Sequence, residues 1–200
     1  MRKAMTGLAL AILTALPVAA DPMNSDAARK QLFSAKDMIL HPMGLDAFGN
    51  GMKRAVRLTL DQMKSRGQML KFLEAGYGYY GAVAFPTNGN GEEPPTIISQ
   101  LNSPGAAQQA AINACQSANG STCAVAALLL PKGYSNRDLM LSQAATAKVV
   151  NQWDEGTLPK YLAFSPSTNS WGIAKGPGAS ARMAVESCKR SDCVVAIADQ

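Results

Sequence analysis

Four cysteines, one histidine and one pair of adjacent glutamates are the residues here whose types most readily suggest chemistry. Neither Cys115 with Cys123 nor Cys188 with Cys193 has the two-residue gap of a zinc knuckle or a dithiol redox site. His41, in "LHPMG", is distant in sequence from every cysteine, so a metal set built on it is not expected. Glu92 and Glu93 sit in a proline-rich loop and read as a solvated turn. Serines are common, but none stands in a Gly-x-Ser-x-Gly elbow, and His41 has no assigned acid to orient it. The glycine-rich "TNGNG" and "AKGPGAS" lack the Lys-Ser/Thr ending of a phosphate loop. We therefore assign no catalytic, cofactor-binding or metal-binding residue and expect no cofactor.

The N-terminus sets the compartment in which the cysteines act. "MRKAMTGLALAILTALPVAADP" places Arg2 and Lys3 before an apolar run from Gly7 to Leu16. Val18 and Ala20 are small residues at the positions that direct a cut before Asp21. Residues 1–20 are thus expected to be a signal peptide, and the protein to be periplasmic or secreted. No later segment offers about eighteen uninterrupted apolar residues, so the exported chain is expected not to span a membrane. An even cysteine count in an oxidising compartment points to two disulfides.

Charge narrows the partners. The chain carries 19 basic and 14 acidic residues, for a net charge of +5. Removing residues 1–20 lowers that excess by two. The remaining lysines and arginines are scattered and rarely neighbour aromatics, so nucleic acid is not expected as a partner.

The cysteines belong to a larger pattern. "PGAAQQAAINAC" (104–115) and "PGASARMAVESC" (177–188) align with Ala111 on Ala184, Ile112 on Val185 and Cys115 on Cys188. Upstream, "YGAVAF" resembles "KYLAFS"; downstream, "CAVAAL" resembles "CVVAIA". Self-similarity over several elements indicates two copies of one supersecondary unit. Each copy reads as strand, turn, strand, helix, strand. Tyr80–Phe85 and Tyr161–Phe164 are the first strands, with returns over Thr96–Leu101 and Ser170–Lys175. Pro104 and Pro177 suit the first helical position, and Ser103 suits a cap. Each helix ends in a cysteine and each following strand opens on one. We expect the local bridges Cys115–Cys123 and Cys188–Cys193.

The second copy, from "YLAFSPSTNSWGIAK" through "CVVAIAD", resembles a bacterial secreted domain family of unknown function, numbered 4189. Ser165, Pro166, Ser167, Thr168, Trp171, Gly172, Cys188, Cys193, Val194 and Val195 carry the resemblance. The first copy lacks the Ser-Pro-Ser-Thr turn and the Trp-Gly pair, and is the more diverged. The layout is also similar to small exported alphaproteobacterial proteins sometimes labelled 5-aminolevulinate synthases. That chemistry would need a Schiff-base lysine and a pyridoxal-phosphate scaffold, which these residues do not offer.

The expected fold is α+β: two tandem ββαβ repeats sharing an antiparallel sheet with helices packed on it, plus an N-terminal helical region. Residues 21–76 form that region, 77–134 the first repeat, 135–159 a helical connector and 160–200 the second repeat. In the N-terminal region Ser25 suits a cap, Val56, Leu60, Met63, Leu70 and Leu73 fall near one stripe, and Gly67 is its weak point. Tyr80, Phe85, Tyr161, Phe164 and Trp171 cluster about the strands and could line a binding strip. The function that fits is a disulfide-stabilised, non-enzymatic binding module whose partner is an envelope protein, a peptide or a glycan. The alternative is a small envelope enzyme, such as a hydrolase with an unfamiliar site.

Overall fold

A computed structural model of the protein describes residues 21–200; the expected signal peptide lies outside them. The architecture is α+β, with two antiparallel sheets rather than one.

The N-terminal region begins with α1 (Ser25–Gln31), capped by Asn24 one residue ahead of the expected Ser25. Asn24 Oδ1 accepts a hydrogen bond from Ala27 N at 2.8 Å. The chain then forms a strand that periodicity did not suggest, β1 (Met38–Pro42). Two helices follow, α2 (Asn50–Met63) and α3 (Arg66–Glu74). Met52, Val56, Leu60 and Met63 recur at helical spacing on α2 and are all buried. Each such side chain removed from water contributes about 1.5–3 kcal/mol. The break comes at Ser65 instead of Gly67, because Ser65 Oγ caps a new helix by accepting from Gln68 N at 3.2 Å. The new phase buries Met69 and leaves Leu70 44% exposed, so the expected single stripe ends at Met63.

The first sheet contains β2 (Gly81–Pro86), β3 (Thr96–Ile98) and β4 (Cys123–Pro131), with α4 (Pro104–Asn119) between β3 and β4. Its strand order is β1-β4-β2-β3. Pro104 opens α4 as expected, and Ser103 Oγ accepts from Ala106 N at 3.1 Å. Ala107, Ala111 and Cys115 form the helix's buried face. Gly120, in the left-handed region at φ 61°, ends the helix.

The connector holds α5 (Gln143–Gln152), which Ser142 caps and the buried Trp153 terminates. The second sheet contains β5 (Lys160–Phe164), β6 (Trp171–Lys175) and β7 (Val194–Asp199), in the order β6-β5-β7. Its helix, α6 (Ala181–Cys188), starts four residues after Pro177. Pro177 is therefore not its first residue. It occupies the second position of a turn closed by Ala179 N donating to Gly176 O at 2.9 Å, with Gly178 at φ 84° in third place. That is the geometry a Pro-Gly pair favours. Ser180 supplies the cap instead.

No shared sheet forms, and the N-terminal region takes one edge of each sheet. β1 pairs with β4, and Met23 bridges β7 through Met23 N to Ala196 O at 3.0 Å and Ala198 N to Met23 O at 2.9 Å. The two sheets meet instead at Asn102, which is buried. Its Nδ2 donates to Ser165 O, Thr168 O and Ser170 O at 3.0–3.1 Å, and its Oδ1 accepts from Ser142 N at 2.8 Å. One side chain thus joins the β3–α4 connection, the β5–β6 turn and the start of α5.

Both expected disulfides are present, Cys115–Cys123 and Cys188–Cys193, with Cα separations of 6.1 and 6.3 Å. Each ties a helix C-terminus to the strand that follows. Disulfides persist in oxidising compartments. Among the described residues no helix is long and apolar enough to cross a membrane.

Candidate functional site

A cleft of about 450 Å³ opens between β1 and α3. Met38, Leu40, Met69 and Leu73 give it an apolar floor, while Ile39 and Leu70 stand 39% and 44% exposed at its mouth. Lys64, Arg66 and Lys132 bring positive charge to the rim, against Asp37 as the lining carboxylate. Local chemistry builds this arrangement. The Ser65 cap redirects the chain after α2, so α3 lies along β1 with Lys64 and Arg66 at the bend. Lys132 arrives from the end of β4, immediately after Pro131, the register partner of Met38. Lys64 Nζ pairs with Asp61 Oδ1 at 2.7 Å, whereas Arg66 and Lys132 pair with no carboxylate among the described residues. An apolar floor under unpaired cations can receive an apolar group that carries a negative charge.

The aromatic strip is divided. Tyr80 and Phe85 are 1% exposed and belong to the core of the first sheet, where Phe85 meets Phe48 edge-on at 6.5 Å. Tyr161 is half-buried against the α6 side of the second sheet. Phe164 and Trp171 are cross-strand partners packed against the opposite core, with Leu162 and Ile197. Five residues spread over two sheets and three packing environments make no continuous surface. The physical reason is that helices cover both faces of the second sheet, and the first sheet buries every residue of β2.

Tyr79 and Tyr80 meet edge-on at 5.2 Å, and Tyr80 packs on Tyr134 at 6.1 Å. Burial pushes the Tyr79 hydroxyl up to about 12, with Thr146 and Arg137 drawing it partly back. Its Oη has no partner in hydrogen-bond geometry among the described residues. Burial also raises Tyr80, reinforced by Tyr79 and Tyr134. These phenols stay protonated and act as packing groups. Arg137 holds the cluster to α1 by stacking on Phe33 at 3.7 Å and donating to Gln31 O and Leu32 O at 2.9 Å.

The serines of the β5–β6 turn serve a structural purpose. Ser165 Oγ and Ser167 Oγ both donate to Asp192 Oδ2, the former at 2.9 Å. The Ser167 hydroxyl holds the Asp192 carboxyl below its ordinary value, with burial opposing and the Ser165 hydroxyl assisting. An ionised carboxylate that accepts from both hydroxyls anchors the turn. At the far end of the sheet, Asp199 Oδ1 accepts from Ser25 N at 2.9 Å and Oδ2 from Trp153 Nε1 at 2.7 Å. Burial works to raise Asp199, but hydrogen bonds from Ser25 and Trp153, with Lys160 nearby, bring it below its ordinary value. Lys160, itself buried, donates to Trp153 O at 2.7 Å.

His41 is exposed on β1, outside the cleft lining. Among the described residues no three His, Cys, Asp or Glu side chains gather as a metal would need. Glu92 and Glu93 close their own loop, accepting from Asn90 Nδ2 at 2.8 Å and Gly91 N at 3.1 Å. Sequence reasoning missed the cleft because it depends on β1. The signal in hindsight is "MILHP", a short run with β-branched Ile39 ended by a proline. Compared with family models, curated proteins and solved structures, the chain matches none.

Proposed function

We propose that this chain is an exported binding module that engages its partner through the β1–α3 cleft. The observation that carries this reading is the pairing of an apolar floor with Arg66 and Lys132, neither of which pairs with a carboxylate among the described residues. The two disulfides and the signal-like residues 1–20 support export to the periplasm or beyond. The common order of strands and helix in Gly81–Pro131 and Lys160–Asp199 supports two diverged copies of one ββαβ unit. The Trp171-Gly172 pair and the Ser165–Thr168 turn support membership of the secreted family numbered 4189. The carboxylate that accepts from Ser165 and Ser167 is held below its ordinary value, which makes it a poor base for activating a serine in a hydrolase.

The test is native capture from a cell-envelope extract with tagged protein, read by mass spectrometry beside an Arg66→Glu/Lys132→Glu variant. A stoichiometric partner retained by the parent and lost by the folded variant is the expected result. A partner that binds both forms equally would remove the cleft from the function. Failure to recover any partner with intact protein would count against a binding module.

A further inference from the structure

We propose that the open edge of β1 receives an extended acidic peptide as a further strand of the first sheet, its apolar side chains entering the cleft beside α3. This rests on the reading of the cleft as the binding site and names the class of ligand.

The backbone supplies the first part of the case. β1 has one neighbour, β4, and Met43 N donates to Ala126 O at 2.8 Å in continuation of their register. In an antiparallel ladder both polar groups of a residue point to the same side and alternate along the strand. Ile39 and His41 share the phase of Met43 and face β4. Met38 and Leu40 therefore turn their N–H and C=O groups to the free edge. Pro42 shares the outward phase but has no N–H to offer, which bounds the usable edge to Met38–Leu40.

Side chains supply the second part. Asp37, Met38, Ile39 and Leu40 are consecutive, and all line the cleft, so the groove follows the strand rather than crossing it. Its opposite wall is the apolar side of α3, through Met69, Leu70 and Leu73. A row of free backbone groups beside an apolar wall is the arrangement by which extended peptides add to sheets. Most edges are blunted against such pairing. Here β7's edge is taken by Met23 and β3 has only three residues, while β6, the remaining edge strand, lies away from this cleft.

Charge selects the peptide. Arg66 and Lys132 are unpaired among the described residues, Lys64 is shared with Asp61, and Asp37 is the lining acid. The rim is net basic, which favours carboxylates in the ligand and disfavours lysines.

The experiment uses the disulfide-intact protein from Asp21 onward and a fluorescein-labelled eight-residue peptide alternating glutamate and valine, read by anisotropy. Two further peptides replace the glutamates by lysine or carry N-methyl groups on alternate amides. Binding of the glutamate peptide, weakened at least about tenfold by either change, is the expected result. Slowed exchange of the Met38 and Leu40 amides on binding gives a direct check. Leu40→Pro should abolish binding. Arg66→Glu/Lys132→Glu, which alters only exposed side chains, should reverse the preference between glutamate and lysine peptides. Equal binding of the N-methylated peptide would overturn strand addition while leaving the cleft as a binding site. If no peptide bound, yet an envelope partner were still captured in a cleft-dependent way, the peptide class would be overturned and the broader reading kept.

Discussion

The units Gly81–Pro131 and Lys160–Asp199 run through the same order of elements, and each puts its first strand between the other two. Their central strands even shift register at matching places, between Val83 and Ala84 and between Leu162 and Ala163. They differ in how the helix sits. The 16-residue α4 lies chiefly on β2, while the 8-residue α6 lies chiefly on β6. The approach in the second unit is so close that a Cβ at Gly172 would meet the Cys188 backbone N–H and come within 2.6 Å of Ala184 O. The first unit spends its length differently, burying all of β2 and acquiring β1 as a fourth strand. Shared element order and shared disulfides thus leave the contact geometry free to diverge.

The largest break should come at the joint between the units. Asn102→Ala removes four side-chain hydrogen bonds and leaves Ser142 N and three carbonyls of the β5–β6 turn without that partner. We expect a loss of about 4 kcal/mol in urea unfolding, with the two units no longer melting together.

Gly172→Ala sharpens the contrast in helix placement. Overpacking against backbone should cost about 3 kcal/mol. Gly105→Ala, at the start of α4 with nothing within 4 Å of the new Cβ, should be neutral or stabilising by about 0.5 kcal/mol. Equal effects at the two sites would show that α6 can slide away from β6.

The disulfides test whether the units are stapled alike. Replacing Cys115 and Cys123 by alanine should cost about 2.5 kcal/mol, and the same change at Cys188 and Cys193 about 2 kcal/mol. The order follows from the sequence separations of 8 and 5 that the bridges close. Chemical denaturation of each paired variant measures the difference.

Acid should separate the units by the smallest margin. Asp192 and Asp199 both serve the second unit and both titrate below their ordinary value of 3.8. A carboxylate whose folded value is depressed stabilises fully above its unfolded value and loses that contribution as pH falls through the folded one. Below about pH 4 the second unit should therefore loosen first. Trp153 and Trp171 are the protein's two tryptophans, and both report on that unit. Their fluorescence should change before the far-ultraviolet signal of the whole, and Asp199→Asn should reduce the early change. Simultaneous loss of both signals would mean that these carboxylates do not distinguish the units.

Much of this was legible from neighbouring residues. The Ser103-Pro104 helix start and the disulfide pairings follow from interactions a few residues apart, which leave a direct trace in the order of amino acids. Pro177 misled because "PGA" occurs in both units, yet Gly176 and Gly178 turn the second into a tight bend before the helix. The aromatic strip misled for a related reason. An aromatic side chain has the same composition signal in a core as on a surface, and the other side of each sheet decides which it becomes.

By itself the sequence determined the α+β class, the element order of both units, the Ser103 cap and the covalent staples, because each depends on short-range geometry. Only the tertiary structure decided that the sheets stay separate, that Asn102 joins them, that Gly172 must lack a side chain, and that β1 presents an open edge to a basic cleft. Those features arise where segments far apart in the chain compete for the same edge or face, and local residue patterns carry no record of which segment wins.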